Sequence, residues 1–340
     1  MSTIKVSNLQ NASAASPAIT LAADGSATAS LSSINGGPIA GTRNRIINGS
    51  LDFWQRGTSA AAVGQYYLAD RWTSQIPTGG TVSRETSSLP TGSQYAWKYV
   101  ASASNAFLQM GQQIEYVNCL DLQNTTVSIS FMARAVTANA GSTALTVRTR
   151  TIAGIDGACI FSAAAVDTSV TLTTSWVRYT VSRTLAATFG ALSLEFVLGS
   201  HVSGDGIMLS QVQLEPGSVA TPFERRSYGQ ELALCQRYFE KSYEINTTPG
   251  TVTTASTSVS TFPSVYTTYF VCPFQVSKRV PATITGYSPA TGASGFQSMN
   301  MGTDLALTGT TSNGVNSAVF YSVTFGNTSN YLHFTASSEF

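Results

Sequence analysis

Charged side chains are scarce in this sequence of 340 residues, in which Asp, Glu, Lys and Arg together make up 10%. Globular chains usually contain about 25% of these residues. Lys and Arg number 18 against 17 Asp and Glu, which gives a formal net charge of +1. A protein that binds nucleic acid needs a basic surface to neutralise phosphates, so this balance argues against nucleic acid as a partner.

Histidine and clustered cysteine are missing as well. The sequence has two histidines, His201 and His333, and four widely spaced cysteines without a C-x-x-C pair. The cysteines are Cys119, Cys159, Cys235 and Cys272. Zinc sites need thiols and imidazoles at short spacing. We therefore expect free, buried thiols, which suits a protein assembled in a reducing cytoplasm.

Long apolar runs are also lacking. No stretch approaches the length of a membrane-spanning helix, and no continuous apolar segment follows Lys5. We expect a soluble chain without a signal peptide and without membrane insertion.

The residues that replace charge favour β structure. Thr, Ser, Asn and Gly are abundant, and apolar residues alternate at period two in several segments, most cleanly from Leu192 to Leu198. Gly-rich stretches such as Thr78-Gly79-Gly80 are interpreted as turns between short strands. The prediction is an all-β fold in which residues 46–225 form a jelly-roll β-sandwich.

Three further regions flank this sandwich. Residues 1–45 have too few large apolar side chains for a core and are predicted to form an N-terminal arm, in which Ile4, Val6, Leu9, Ile19 and Leu21 could pair as strands against a partner. Residues 226–245 are predicted to be a helical connector, and residues 246–340 a small C-terminal β domain. The expected strands of that domain are 265–272, 280–286, 317–325 and 330–336.

The connector carries the one convincing helix pattern. Ser227 followed by Gln230 resembles a capping box, and the helix is expected to run to about Lys241. Its apolar stripe comprises Leu232, Leu234, Cys235, Tyr238 and Phe239, whereas Glu231, Arg237 and Glu240 fall elsewhere on the circumference. A helix this short must pack on something, either the sandwich or symmetry-related copies.

Several blocks of the sequence resemble one family of proteins. Residues 44–57 (NRIINGSLDFWQRG) and 69–72 (ADRW) closely resemble a block of phage tail-fibre and tail proteins that belongs to a carbohydrate-binding-module-like jelly roll. The family's closing strand and helix are similar to residues 213–217, 221–226 and 231–239. Weaker matches are residues 272–274, 279–284 and 287–289 in the C-terminal domain and residues 3–10 at the start.

This resemblance implies a tail-fibre protein of a virion, assembled in the host cytoplasm as a homotrimer. Residues 1–45 would attach to a phage tail or baseplate protein. The distal C-terminal domain would bind a host cell-surface polysaccharide or lipopolysaccharide during adsorption.

Residues for catalysis are few. The two histidines are not accompanied by a Gly-x-Ser-x-Gly motif, so a protease or esterase is not expected. A glycosidase would need two facing carboxyl groups, and the candidates are Asp52, Asp70, Glu115, Asp121, Glu195, Asp205 and Glu215. Asp70-Arg71 and Glu224-Arg225-Arg226 are interpreted instead as charge pairs that fix loops. We expect no enzymatic activity.

Neither a cofactor nor a metal ligand is predicted. Related jelly rolls often hold a structural calcium ion, for which Asp52 is the obvious ligand. However, Ser210 and Gln211 occupy a strand position where such modules often have an acid, so a calcium site is not favoured.

Aromatic side chains supply the candidate binding residues. The tryptophans Trp54, Trp72, Trp97 and Trp176 are expected in the core of the sandwich. In the C-terminal domain, aromatic residues lie among Ser, Thr and Asn, a composition suited to glycan recognition, although about half of them must form its core. The glycan-binding candidates are Tyr266, Tyr269, Tyr287, Phe296, Tyr321 and Tyr331.

The leading hypothesis is a non-catalytic tail fibre that binds a host glycan. Two alternatives stay open. One is a tailspike-type polysaccharide depolymerase, although the usual long β-helical repeat is absent from the sequence. The other is a structural adaptor or decoration protein of the virion without a ligand.

Overall fold

The structure of the chain, a computed structural model, describes residues 7–9, 19–21, 23, 27–29, 43–162, 165–262, 266–324 and 328–340. Its strands are β1 (Asn8–Leu9), β2 (Ile19–Leu21), β3 (Ala27–Ala29), β4 (Ser59–Tyr67), β5 (Thr73–Glu85), β6 (Ala96–Ala101), β7 (Leu108–Ile114), β8 (Thr126–Ala135), β9 (Ala144–Ile152), β10 (Val166–Thr171), β11 (Val177–Thr184), β12 (Ala191–Leu198), β13 (Gly206–Pro216), β14 (Phe239–Lys241), β15 (Ser258–Phe262), β16 (Tyr266–Pro273), β17 (Thr283–Tyr287), β18 (Phe296–Met299), β19 (Thr303–Ala306), β20 (Gly309–Asn313), β21 (Ser317–Thr324) and β22 (Thr328–Ser337). The helices are α1 (Ala140–Thr143) and α2 (Tyr228–Gln236), with 3-10 turns at Tyr116–Asn118 and Leu120–Leu122. The all-β prediction is confirmed.

Strands β4 to β13 form one antiparallel sheet that folds into two layers. The strand order is β10-β9-β12-β7-β5-β6-β13-β8-β11, with β4 also paired to β5. Residues 73–75 of β5 pair with β7, whereas residues 80–85 pair with β6, so β5 passes from one layer to the other. The rings of Phe131 in β8 and Phe196 in β12 are 4.9 Å apart, which brings the two layers face to face. This is the jelly-roll sandwich that the sequence predicts.

One predicted turn lies inside this corner strand. Thr78-Gly79-Gly80 belongs to β5, and the interpretation of these residues as a turn between strands was wrong. A Cβ atom on Gly80 would lie 2.3 Å from the ring of Tyr99. The glycine is therefore needed for close packing where the strand changes layers.

The sandwich core is aromatic, as predicted. Trp54, Trp72 and Trp97 are buried, whereas Trp176 is half-buried and donates a hydrogen bond from Nε1 to the carbonyl of Ser88 at 3.2 Å. All four cysteines are buried and free, which confirms their predicted state.

Helix α2 is shorter than predicted. It ends at Gln236, and Phe239–Lys241 form strand β14, which pairs with β22. Ser227 makes no side-chain capping bond, so the capping-box interpretation was wrong. Glu231 and Glu240 are buried. Each has a cationic partner that compensates its charge: Arg226 lies 3.1 Å from Glu231, and Lys278 lies 2.6 Å from Glu240.

The partner of this helix is the sandwich of its own chain. Cys235 and Tyr238 form a buried cluster with Ile47 and Phe53, and Leu232 packs against it. The guanidinium of Arg71 lies 3.4 Å from the centre of the Tyr238 ring. Cys235, Tyr238 and Phe239 of the apolar stripe are therefore buried within one chain, whereas Leu232 and Leu234 are half-buried.

The C-terminal residues form two further sheets. Strand β22 pairs with β14, β15, β17 and β18, and β18 also pairs with β19. The second sheet has the order β16-β21-β20. Their shared core contains Phe270, Cys272, Ala282, Phe320, Leu332, Phe334 and Ala336. The four predicted strands correspond to β16, β17, β21 and β22 with shifted ends, and strands β15, β18, β19 and β20 were missed.

The described part of the N-terminal arm is a small antiparallel sheet. Strand β2 pairs with β1 and β3, and Leu9 lies opposite Ile19. The predicted pairing residues Ile4 and Val6 lie outside the described residues. No helix in the described ranges is long and apolar enough to cross a membrane.

Candidate functional site

Two of the six candidate aromatic residues lie side by side on an exposed sheet. Tyr269 of β16 is directly opposite Tyr321 of β21, with ring centroids 6.4 Å apart and planes inclined by 32°. Tyr269 is 49% exposed. Val271 and Val323 point to the same side and are 63% and 46% exposed. We call Tyr269, Val271, Tyr321 and Val323 the tyrosine face.

Period-two alternation positions this face. Successive side chains of a strand point to opposite sides of the sheet, so Phe270, Cys272 and Phe320 point inward and are buried in the C-terminal core. Burial raises the pKa of the Cys272 thiol to about 12, so it is uncharged at neutral pH. The tyrosine face thus rests on a packed apolar layer.

A glycine on the neighbouring strand makes room for one of the rings. Gly309 of β20 is paired with Tyr321, and a Cβ atom there would lie 3.3 Å from Cε1 of that ring. Without a side chain at this position, the ring can lie over the backbone of β20. The edge strand therefore helps to hold Tyr321 in its orientation.

The surroundings of the tyrosine face are neutral. Strands β16, β20 and β21 contain no Asp, Glu, Lys or Arg, and Thr267, which lies opposite Val323, supplies a hydroxyl on the same side of the sheet. Flat aromatic rings can stack on the C–H face of a pyranose, while hydroxyl and amide groups bond its hydroxyls. This arrangement can bind a neutral ligand by stacking and hydrogen bonding.

The other candidates lie elsewhere. Tyr287 meets the ring of Tyr243 edge-on at 6.1 Å, and Tyr243 stacks on His333 at 3.8 Å. Tyr287 therefore belongs to a packed aromatic cluster.

Three candidates are neither in the tyrosine face nor in that cluster. Phe296 is half-buried opposite Ala306 in β19, and Tyr331 is half-buried in β22 opposite Val259. Tyr266 begins β16, but its side chain lies outside the described residues. The structure therefore brings together two of the six residues.

Both histidines have structural partners. Nε2 of His201 is 2.9 Å from the hydroxyl of Tyr99, and Nδ1 is 2.6 Å from the carbonyl of Gly199. His333 is bonded to Ser242 and Thr253. Burial lowers the pKa of His333, which keeps its imidazole neutral.

The seven carboxylates considered for glycoside hydrolysis all have partners within the fold. The pairs are Asp52 with Arg225, Asp70 with Arg56, Glu115 with Arg237, Asp121 with Arg45, Glu195 with Arg150, Asp205 with Thr137 and Ser142, and Glu215 with Arg43 and Thr221. These contacts account for each acid structurally except Asp52, one oxygen of which has no hydrogen-bond partner in the described residues.

The predicted charge pairs use different partners from those expected. Arg71 pairs with Glu339 instead of its neighbour Asp70. Arg225 pairs with Asp52, and Arg226 pairs with Glu231. The interpretation of Asp70-Arg71 as a pair was wrong, because Asp70 pairs with Arg56 and Arg71 pairs with Glu339. Within residues 224–226, Arg225 joins a segment 173 positions away, whereas Arg226 pairs five positions along the chain.

A polar cleft that the sequence analysis missed lies between residues 44–53 and residues 223–231, which belong to the segments that resemble tail-fibre blocks. It has a volume of about 240 Å³ and is lined by Asn44, Gly49, Ser50, Asp52, Phe53, Gln94, Phe223, Glu224, Arg225, Arg226, Tyr228 and Glu231. We call it the block cleft. Asp52 and Arg225 are separated by 173 positions. The available signal was the concentration of charged residues in these two blocks of a charge-poor chain.

In the part of the chain that the structure describes, no three His, Cys, Asp or Glu side chains converge where they could hold a metal ion. The absence of a metal stays a prediction.

No protein-family model matches the chain, and no curated protein matches it. Among solved structures, it is similar to the enzymatically active domain of tailspike protein 4 of bacteriophage CBA120, at 12% identity and a TM-score of 0.35 over 53% of this chain. The match spans only 22% of the tailspike chain.

The chain is also similar to carbohydrate-binding modules, at comparable identities and TM-scores. TmCBM61, solved in complex with β-1,4-galactotriose, is 12% identical with a TM-score of 0.34, over 52% of this chain and 100% of that chain. The CBM22-1 xylan-binding domain from Paenibacillus barcinonensis Xyn10C is 13% identical with a TM-score of 0.31, over 48% of this chain and 99% of that chain. Likenesses of this strength carry no argument about function.

Proposed function

We propose that this chain is a non-catalytic receptor-binding protein of a bacteriophage tail fibre, which binds a neutral host cell-surface glycan through the tyrosine face. The observation that carries the proposal is the pair of adjacent rings of the exposed Tyr269 and the half-buried Tyr321, on a sheet whose strands contain no charged side chains. The phage tail assignment is supported by the resemblance of residues 44–57, 213–217, 221–226 and 231–239 to tail-fibre blocks.

The exposure of these side chains supports a recognition role. Folded proteins rarely expose adjoining large apolar side chains unless the patch contacts a partner. Tyrosine combines a broad apolar ring with a polar hydroxyl, which suits a ligand that has both C–H faces and hydroxyls. A glycan meets both requirements.

The remaining parts of the proposal concern the virion. Residues 1–45 attach the fibre to a tail or baseplate protein, and the chain assembles as a homotrimer. Both statements rest on the resemblance. The packing of α2 does not support a trimer, because its buried side chains contact residues of its own chain. Several weak sites on one particle then give strong adsorption through their high effective concentration.

Single substitutions in the full-length chain test the glycan site. We expect Tyr269→Ala and Tyr321→Ala each to weaken binding to an array of purified bacterial surface polysaccharides about tenfold, which corresponds to about 1.4 kcal/mol. Val252→Ala is the matched control, because Val252 is 59% exposed but lies outside the tyrosine face. Affinity should change less than about twofold between roughly 0.05 and 0.5 M salt, because no charged side chain takes part.

Three results would contradict the proposal. Unchanged binding by the Tyr269→Ala/Tyr321→Ala double variant would exclude the tyrosine face. Release of reducing sugars from a bound polysaccharide would favour a depolymerase. A folded protein that binds none of the polysaccharides would favour a structural adaptor.

A further inference from the structure

The block cleft contains a carboxylate with one unsatisfied oxygen. The side chain of Asp52 is 13% exposed, and its Oδ2 accepts a hydrogen bond from Arg225 at 3.0 Å. Its Oδ1 is closed to solvent and has no hydrogen-bond partner in the described ranges. A buried carboxylate oxygen without a partner costs free energy, so the single bond from Arg225 does not offset the burial of this acid.

The backbone that carries Asp52 is held in an unusual conformation. The preceding residue, Leu51, is fully buried and has a φ angle of 61°, which is rare for a residue with a bulky side chain. Leu51 is fixed by bonds from its own amide to the carbonyl of Asn48 and from Trp54 Nε1 to its carbonyl. Strain that the surrounding structure maintains is typical of binding sites.

The other side chains of the cleft offer complementary groups. Arg225 is 44% exposed and also donates to the carbonyl of Gly92, while Gln94 is exposed at the rim. Tyr228 is 60% exposed, and its ring lies 4.9 Å from that of the buried Phe53. An acceptor, a cationic donor, an amide and an aromatic ring therefore surround one small space.

We propose that the block cleft is a second binding site, separate from the tyrosine face, which takes one residue of a neutral saccharide. Oδ2 of Asp52 accepts a hydroxyl hydrogen of the sugar, and Arg225 and Gln94 donate to its oxygens. The ring of Tyr228 covers an apolar C–H face. The volume of about 240 Å³ is below the roughly 300–1,000 Å³ of pockets for drug-sized ligands, which matches a single sugar ring.

The charges of the cleft favour a neutral ligand. Glu224 accepts the amide of Asn44 at 2.9 Å, and Glu231 is bonded to Arg226, so these acids are already engaged. Arg225 lies beside Asp52 and opposes a cation there, while the carboxylate opposes an anion. A polyol with both donor and acceptor groups satisfies both members of the pair.

The test uses the full-length protein and the methyl glycosides of glucose, galactose, mannose, rhamnose and N-acetylglucosamine as probes. We expect at least one glycoside to bind in NMR titrations. Asp52→Asn, which keeps the side-chain shape, and Tyr228→Ala should each weaken this binding about tenfold or more. Because Tyr228 is largely exposed, its replacement does not threaten folding. Val219→Ala, at a residue that is 55% exposed and does not line the cleft, should bind as the unaltered protein does.

Other outcomes would overturn the proposal. The first is that no glycoside binds to the unaltered protein. The second is that Asp52→Asn and Tyr228→Ala both bind the glycoside as the unaltered protein does. The third is that Tyr269→Ala/Tyr321→Ala loses glycoside binding while Asp52→Asn retains it. Binding of calcium chloride that Asp52→Asn abolishes, in a protein that binds no glycoside, would identify a cation site instead. None of these results contradicts the tyrosine-face proposal, which is tested by polysaccharide binding of Tyr269→Ala and Tyr321→Ala.

Discussion

Asp70 shows how burial within the sandwich shapes the pH response of the protein. Its carboxylate is fully buried, accepts a hydrogen bond from Gln55 Nε2 at 2.8 Å and pairs with Arg56 at 3.4 Å. Burial raises the pKa of Asp70 to about 6, although Arg56 and Gln55 lower it. The folded state therefore keeps a proton that the unfolded state loses near pH 4.

The first prediction follows from this difference. Between about pH 4 and 6 the folded state binds more protons than the unfolded state, so Asp70 makes the free energy of unfolding fall as the pH rises, by up to about 3 kcal/mol. Denaturant unfolding should therefore show that, as the pH rises from about 4 to 6, the free energy of unfolding falls more for the unaltered protein than for Asp70→Asn. A difference that is independent of pH would contradict the raised pKa.

At the scale of elements, the turn at residues 47–50 is locked against the irregular part of β13. The amide of Val212 donates to the carbonyl of Gly49 at 2.8 Å, next to the register shift between Ser210 and Gln213. A Cβ atom on Gly49 would lie 2.1 Å from the carbonyl oxygen of Val212. Any residue other than glycine at position 49 would therefore force the turn and β13 apart.

We accordingly expect Gly49→Ala to lower the free energy of unfolding by about 3 kcal/mol or more, because the backbones must separate. Gly199→Ala is the control, since a Cβ atom there meets no atom within 4 Å and should change stability by less than about 0.5 kcal/mol. Both values can be measured by denaturant unfolding. Equal effects of the two substitutions would show that the turn can move away from β13.

At the scale of the whole molecule, the C-terminal sheets are tied to the sandwich by buried polar contacts. Arg71, which is 1% exposed, pairs with Glu339 at the end of the chain. Lys241 donates to the carbonyl of Gln55 at 2.8 Å. We therefore expect the sandwich and the C-terminal sheets to unfold in one cooperative transition.

Arg71→Ala tests this coupling, because it removes one of the two cations that pair with the buried carboxylate of Glu339, while Arg56 remains 3.1 Å from that carboxylate. We expect the free energy of unfolding to fall by about 2–3 kcal/mol, and two probes to shift together: tryptophan fluorescence, since all four tryptophans lie between residues 54 and 176, and hydrogen exchange of β22. Arg148→Ala is the control, because its partner Asp167 is 43% exposed and the loss should stay below about 1 kcal/mol. Separate transitions for the two probes would contradict the coupling.

Much of the fold could be predicted because its determinants are local. Alternation in residues 192–198 predicts a strand, and Trp72 and Trp97 are large enough that burial is expected. The end of α2 could not be predicted, because Phe239–Lys241 continue a helical pattern but pair with β22. Tertiary pairing overrides local preference there.

The candidate sites show the same division. The sequence by itself determined that a strand with neutral surroundings lies at about residues 265–272, but both of its faces carry apolar side chains, Tyr269 and Val271 on one and Phe270 and Cys272 on the other. Only the tertiary structure decided that the tyrosines face outward, because packing against β22 selects which face is buried. Likewise, the composition determined that charges are few, whereas the meeting of Asp52 and Arg225 across 173 positions depends on long-range contacts that no local pattern encodes.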